Sequence, residues 1–201
     1  MRQLTNDACD DWLGPLFTVA IASGLRQGEL LGLRWEDIDL AAGELRVRHA
    51  LQRIDGKPTL VEPKTTRSRR TINLPAVAVD ALRTQRVRQV ERHLLLGVRW
   101  MGNDDLVFTS TVGTPCNPSN VTHRLQAVLK AAGLPRQRFH DLRHCTASLL
   151  LAGGEHPRVV MEVLGHSQIA LTMNTYSHVI PAAMKGAASR LDAALKVQES
   201  A

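Results

Sequence analysis

The sequence predicts an α+β domain, mostly helical, with one small three-stranded antiparallel sheet. Three observations lead there. Apolar residues recur at helical spacing in most of the chain. A single stretch, from about residue 44 to 74, alternates apolar and polar residues as a strand does. The chain has 201 residues with 44% apolar content, enough for one buried core.

Each element follows from local signals. Leu13, Leu16, Phe17, Ala20 and Ile21 lie on helical spacing between Trp12 and Ser23, and Gly24 is a helix stop. A second short helix reads from Gln27 to about Trp35. Leu45-Arg46-Val47-Arg48, Thr59-Leu60-Val61 and Arg70 to Leu74 alternate, and Asp55-Gly56 is a hairpin signal. These are read as three antiparallel strands, with a polar loop from Lys64 to Arg69 between the last two. Pro75 then opens a helix to about Leu96. Asn117-Pro118 caps and opens another, with Val121, Leu125, Val128 and Leu129 on one face. A helix from about His140 to Ala152 stops at Gly153-Gly154, and one from Pro157 to Leu164 stops at Gly165. Ser167 caps a segment reaching Tyr176, and Pro181 opens the last helix, with Met184, Ala188, Leu191 and Leu195 as a narrow stripe. The expected organisation is one domain over 1–201, with a core to residue 180 and a helix and tail from 181.

Composition excludes several classes. No run approaches the ~18 apolar residues of a membrane span. The opening MRQLTNDACDDW has no apolar stretch, so no secretory leader is expected. Cys9, Cys116 and Cys145 are odd in number and far apart, which fits neither a disulfide framework nor a CxxC zinc site and favours a reducing cytoplasm. The formal charge is +6, unevenly distributed. Residues 1–40 hold three basic and seven acidic side chains, whereas 41–75 hold eight and three, and 106–145 hold five and one. Such localised cationic blocks, rich in arginine, suit a polyanionic partner.

Five features carry potential chemistry. On the 139–152 helix, spacings of three and four put His140, Arg143, His144 and Ala147 on one face and Leu142, Cys145, Thr146 and Leu149 on the other. The apolar side is expected to be buried and the imidazoles and guanidinium presented. Zinc is disfavoured there, because the H-x-x-x-H pair lacks the metalloprotease glutamate and Arg143 would repel a cation. Arg26 follows a glycine break with Glu29 three residues on; Lys64 sits at the tip of the predicted sheet; His166 follows Leu164-Gly165; and Tyr176 is the single tyrosine. Each alone admits a structural role: a charge pair, a solubilising lysine, a cap, a core ring.

In order, Arg26 with Glu29, Lys64, His140-x-x-Arg143, Gly165-His166 and Tyr176 resemble the motif series of the tyrosine recombinases, the phage integrase family. The resemblance runs from about Leu4 to Leu195 and corresponds to that family's catalytic domain. It implies that Arg26 and Arg143 clamp the scissile phosphate, His166 donates to it, Tyr176 attacks, His140 manages the tyrosine proton and Lys64 protonates the departing 5′ oxygen. Glu29 and His144 would support them. No metal or ATP would be needed, and no cofactor is implied. Arg46, Arg48, Arg67, Arg69, Arg70, Arg124, Arg136 and Arg138 would contact the backbone of double-stranded DNA, with Asn120 and Arg124 facing a groove. The family's usual DNA-binding domains precede its catalytic one and are not expected within these residues. A monomer that assembles as a homotetramer on DNA, in a bacterial cytoplasm, is the corresponding expectation. The alternatives are a type IB topoisomerase-like relaxing enzyme, a non-catalytic DNA-binding module and a metal-dependent nuclease.

Overall fold

The computed structural model describes residues 11–62, 69–102 and 105–165. Lys64, Arg67, His166, Tyr176 and both segments expected after Gly165 lie outside the described residues. The fold class is as expected: mostly helical, with small antiparallel sheets.

Helix α1 (Gly14–Ser23) is the central element, buried on nearly every side. Its sequence, GPLFTVAIAS, is apolar all round, which suits a helix enclosed by others. Its hydroxyls turn inward to carbonyls one turn back, Thr18 Oγ1 to Gly14 at 3.2 Å and Ser23 Oγ to Val19 at 2.6 Å. Gly24 ends it in the left-handed conformation (φ 63°). A Cβ there would also lie 2.5 Å from Leu164 Cδ2, so the glycine admits a neighbouring helix end.

Helix α2 (Gln27–Leu31) is shorter than predicted, and Trp35–Asp37 forms a separate 3₁₀ turn. The reason is a close crossing. A Cβ on Gly32 would sit 2.7 Å from Leu51 N, and one on Gly28 would sit 2.9 Å from the Leu51 carbonyl. The helix therefore yields at Gly32 to let a strand backbone pass.

The strands are more numerous than the three expected between about 44 and 74. Five lie among the described residues: β1 (Ile38–Asp39), β2 (Glu44–Val47), β3 (Ala50–Ile54), β4 (Lys57–Val61) and β5 (Arg70–Asn73). The three-stranded sheet has the order β1-β2-β5, with Leu45 opposite Ile72 and Val47 opposite Arg70. Among the described residues, β3 and β4 pair only with each other, as a hairpin inserted in sequence between β2 and β5. Its turn uses Asp55 (φ 50°) and Gly56 (φ 77°), the two positive angles that an Asp-Gly hairpin turn demands.

Helix α3 (Ala76–Leu96) buries Ala78, Val79, Leu82 and Gln85 from its first half and projects its second. Leu94 and Leu95 near its end are about four-fifths exposed. Helix α4 (Pro118–Ala131) begins as expected, with Asn117 Oδ1 accepting from Ser119 N at 3.0 Å, and buries Val121, Leu125, Val128 and Leu129. Helix α5 (Phe139–Ala152) packs on α1, where Thr146 Oγ1 donates to the Ile21 carbonyl at 2.7 Å. Helix α6 (Pro157–Leu164) packs on α5 through a small cluster of Ala147, Leu151, Val160 and Leu164. The main core gathers Leu16, Phe17, Leu30, Leu31, Leu45, Phe108, Leu125 and Leu142. Among the described residues, no helix is long and apolar enough to cross a membrane.

The predicted faces of α5 are also corrected. Leu149 points outward, 54% exposed, while Arg143 and Ala147 are buried. The helix is covered by α1 on one side and α6 on the other, so its buried stripe runs through Phe139, Leu142, Arg143, Thr146 and Ala147. Ala147 at the α6 crossing is small enough for close approach, which leaves the larger Leu149 outside.

Candidate active site

Arg26 is the N-cap of α2, and Glu29, at the third helical position, reaches back to it. Arg26 N donates to Glu29 Oε2 at 3.0 Å and Arg26 Nη1 donates to Oε1 at 2.8 Å. Glu29 is buried, yet it serves a second guanidinium. Arg70, arriving on β5, donates through Nη1 to Oε1 at 3.3 Å and through Nη2 to Oε2 at 3.0 Å. Burial pushes the Glu29 carboxyl up, but Arg70's hydrogen bond and charge, and then Arg26's N–H and charge, outweigh it and hold the group below the usual carboxylate range.

Arg143 comes up from α5 and is only 2% exposed. Its Nη1 donates to the Gly24 carbonyl at 2.7 Å and its Nη2 donates to the Leu164 carbonyl. A buried charge needs such partners. The expectation of a solvent-facing Arg143 is therefore replaced by a guanidinium in the floor of the site.

The C-terminal end of α6 is the meeting point. Three consecutive carbonyls each accept from a different arginine: Val163 from Arg70 Nε at 2.8 Å, Leu164 from Arg143, and Gly165 from Arg26 Nη2 at 3.2 Å. The last carbonyls of a helix lack intrahelical partners and carry the negative end of its dipole, so cations belong there. Gly165 closes the helix with φ 65°, and a Cβ on it would meet Arg70 Nη1 at 2.9 Å. The next residue in sequence is His166.

His140 and His144 lie one turn apart on α5 with ring centroids 4.9 Å apart, edge to face. His140 is held below the usual imidazole range. Partial burial is the main cause, then the charges of His144 and Arg143; Asp141 acts against them, and Arg26 adds to them. An imidazole so placed is neutral near pH 7 and can accept a proton. Asp141 caps α5 by accepting from Arg138 N at 2.8 Å.

The structure thus brings together Arg26, Glu29, His140, Arg143 and His144. The cationic sheet surface is separate in character. Arg46 and Arg48 are about half exposed and, with His49, Glu62, Arg69, Arg70 and Thr71, line a groove of about 520 Å³. Their acidic contacts are loose for Arg46, 3.9 Å to Glu44, and for Arg48, 3.5 Å to the buried Asp37, while Arg69 pairs with exposed Glu62. Asn120, Arg136 and Arg138 are exposed. Arg124 is about half exposed and donates from Nε to Asp11 Oδ2 at 2.6 Å. Arg70 departs from its expected role as a phosphate contact: its side chain is 8% exposed and engaged with Glu29 and α6. The alternation of β5 carried the signal, because Arg70 shares a strand face with the buried Ile72.

Among the described residues, no three His, Cys, Asp or Glu side chains group as metal ligands would. Burial pushes the Cys116 thiol up to about 12, which makes it inert.

Comparison with known proteins bears on this arrangement. The sequence profile described as the phage integrase family matches residues 2–182. A tyrosine recombinase XerC-like protein of Caldanaerobacter subterraneus subsp. tengcongensis is 38% identical over 180 residues, covering 84% of this chain and 46% of that protein. The ICEBs1 integrase of Bacillus subtilis is 32% identical, covering 88% of this chain and 47% of its own. The chain thus spans about half the length of these curated relatives. In fold it is similar to XerA recombinase (TM-score 0.74, 22% identity, 94% of this chain and 61% of that one). It is also similar to a Tn1549 transposon integrase solved in complex with transposon right-end DNA (TM-score 0.76, 23% identity, 95% and 63%). With a profile match over most of its length and these relatives, the chain belongs to the phage integrase family.

Proposed function

We propose that this chain is the catalytic part of a site-specific DNA recombinase, cutting and rejoining duplex DNA through a 3′-phosphotyrosyl intermediate. The observation that carries the reading is the arginine cluster at the end of α6, with two imidazoles beside it and the segment leading to His166 and Tyr176 directly after it. The relatives are named as a recombinase and an integrase, and one neighbour in fold was solved on transposon-end DNA, which supports the same reading.

The chemistry follows from charge. Attack on a phosphodiester passes through five-coordinate phosphorus, whose non-bridging oxygens gain negative charge. Arg26, the more exposed guanidinium, holds these oxygens from the open side, with Arg143 in the floor and His166 donating as well. The Tyr176 hydroxyl forms the new O–P bond as the bond to the 5′ oxygen breaks. A phenol near pKa ~10 needs a base, and His140, whose pKa is lowered by partial desolvation and by neighbouring cations, takes that proton. Lys64 returns a proton to the departing 5′ oxygen. The bond energy stays in the phosphotyrosyl ester, so rejoining needs no ATP. Glu29 fixes Arg26 rather than reacting. DNA is the partner; the exposed arginines of the sheet and Arg136 and Arg138 contact its backbone, and four copies act around two duplexes.

The test is covalent trapping on nicked duplexes of random sequence at low salt, in EDTA, comparing wild type with Tyr176→Phe on a denaturing gel. A slow-migrating adduct in wild type alone supports the proposal. Cleavage that needs a divalent metal, or that survives Tyr176→Phe, overturns it. Relaxation of a supercoiled plasmid with no strand transfer to a partner would favour the topoisomerase alternative.

A further inference from the structure

We infer that Arg70 is a positioning residue for the proposed reaction: it holds Glu29, and through it Arg26, in register with the end of α6. The inference rests on the functional reading above. Four observations meet at this side chain. Its fork takes both oxygens of Glu29, at 3.3 and 3.0 Å, while its Nε takes the Val163 carbonyl at 2.8 Å. It is 8% exposed, and Glu29 is 6% exposed. Glu29 in turn holds Arg26 by backbone and side chain. Gly165 leaves space for it, since any Cβ there would crowd its Nη1 at 2.9 Å.

Geometry assigns Arg70 two tasks, and a lysine could share only the first. One is charge balance. A buried carboxylate with Arg26 as its remaining cation would draw that guanidinium inward, away from a phosphate. Arg70 satisfies the carboxylate from the other side, so Arg26 keeps an outward-facing surface, 44% exposed. The other task is alignment. β5, α2 and the end of α6 are tied by one planar group, which fixes the chain direction at Gly165, one residue before His166. A lysine carries the charge but has no fork to span both oxygens and a carbonyl.

A side chain that positions should affect rate, whereas one that touches phosphate should affect salt dependence. The experiment measures single-turnover adduct formation at saturating protein on the nicked random-sequence duplexes. It also measures anisotropy titrations of a random-sequence duplex over a range of salt. Arg70→Met and Arg70→Lys should each slow adduct formation by roughly 10²-fold, the scale of an ångström-sized misplacement. Their slopes of log affinity against log salt should match wild type, while Arg46→Met should lower the slope by about 0.9, one phosphate's worth.

Arg70→Met at the wild-type rate, Arg70→Lys at the wild-type rate, or a slope lowered as in Arg46→Met each overturns the inference. If Arg70→Met fails to fold, judged by circular dichroism, Arg70→Lys carries the test. An adduct in wild type together with unaffected Arg70 variants removes this inference alone. No adduct in wild type removes the functional reading and the inference with it.

Discussion

The arginines at the end of α6 and the arginines on the sheet share a chemistry but not a job. Arg143 and Arg70 are buried: Arg143 donates to the Gly24 and Leu164 carbonyls, and Arg70 to the Val163 carbonyl and both oxygens of Glu29. Arg46 and Arg48 are about half exposed and meet their acids at 3.9 and 3.5 Å. The first kind is fixed by the fold and fixes it in return. The second is held loosely and remains available to a polyanion. Close hydrogen bonding to the fold therefore separates guanidiniums that build the candidate site, half-exposed Arg26 included, from those that attract its partner.

The largest effect expected from breaking this division is at Arg143. Arg143→Met leaves the Gly24 and Leu164 carbonyls without donors at a buried junction. It should cost about 4 kcal/mol of stability, given what buried polar groups cost when a partner is removed. A thermal melt should fall by about 10 °C at this chain length. Hydrogen exchange should localise the loosening to α6.

Glu29→Gln should come next, at about 3 kcal/mol near neutral pH, since it strips the shared partner from two guanidiniums. Its pH dependence sharpens the point. The Glu29 carboxyl titrates lower in the folded chain than the ordinary value of 4.5, so its contribution is complete above that value. The contribution is lost as pH falls through the folded value. Denaturant melts of variant and wild type should therefore converge in acid; a gap that stays constant would mean that Glu29 is not held by these cations.

A subtler effect concerns His140. Removing the neighbouring imidazole with His144→Ala takes away burial and one repelling charge, both of which lower it. His140 should then titrate higher, moving toward the ordinary ~6.5. Imidazole NMR resonances would register this directly. The acid limb of any adduct-forming activity should move to higher pH with it. The smallest effect belongs to the sheet: Arg46→Ala should change stability by less than ~0.5 kcal/mol, as exposed pairs generally do.

The same contrast explains what could be read from the sequence. Helix starts at Asn117-Pro118 and Pro157 and stops at Gly24 and Gly165 were legible because caps are local chemistry. The Asp55-Gly56 turn was legible for the same reason. The partner of β5 was not, because pairing Ile72 with Leu45 rather than with the nearer strand β4 depends on contacts across an inserted hairpin. Nor was the orientation of α5. Hydropathy places Leu149 inside, whereas close packing of α6 on Ala147 turns it out. Motif spacing picked out Arg26, Glu29, His140 and Arg143, which do converge, but a list of basic residues cannot tell buried Arg70 from exposed Arg69. That distinction needed the strand's alternation and the carboxylate waiting beneath it.

The most direct test sets Arg26, held against Glu29 and the end of α6, beside the sheet pair Arg46 and Arg48. Adduct formation at saturating protein, and the salt dependence of duplex affinity, would be measured for Arg26→Lys and for the double variant Arg46→Ala with Arg48→Ala. The account predicts that Arg26→Lys keeps the wild-type salt slope but loses about 10²-fold or more in rate, the scale seen when a transition-state donor is removed. It predicts that the sheet variant keeps its rate at saturation and lowers the slope by roughly 1.8, two phosphates' worth. A sheet variant that loses rate at saturation, or an Arg26→Lys that weakens binding and leaves the rate intact, would contradict it.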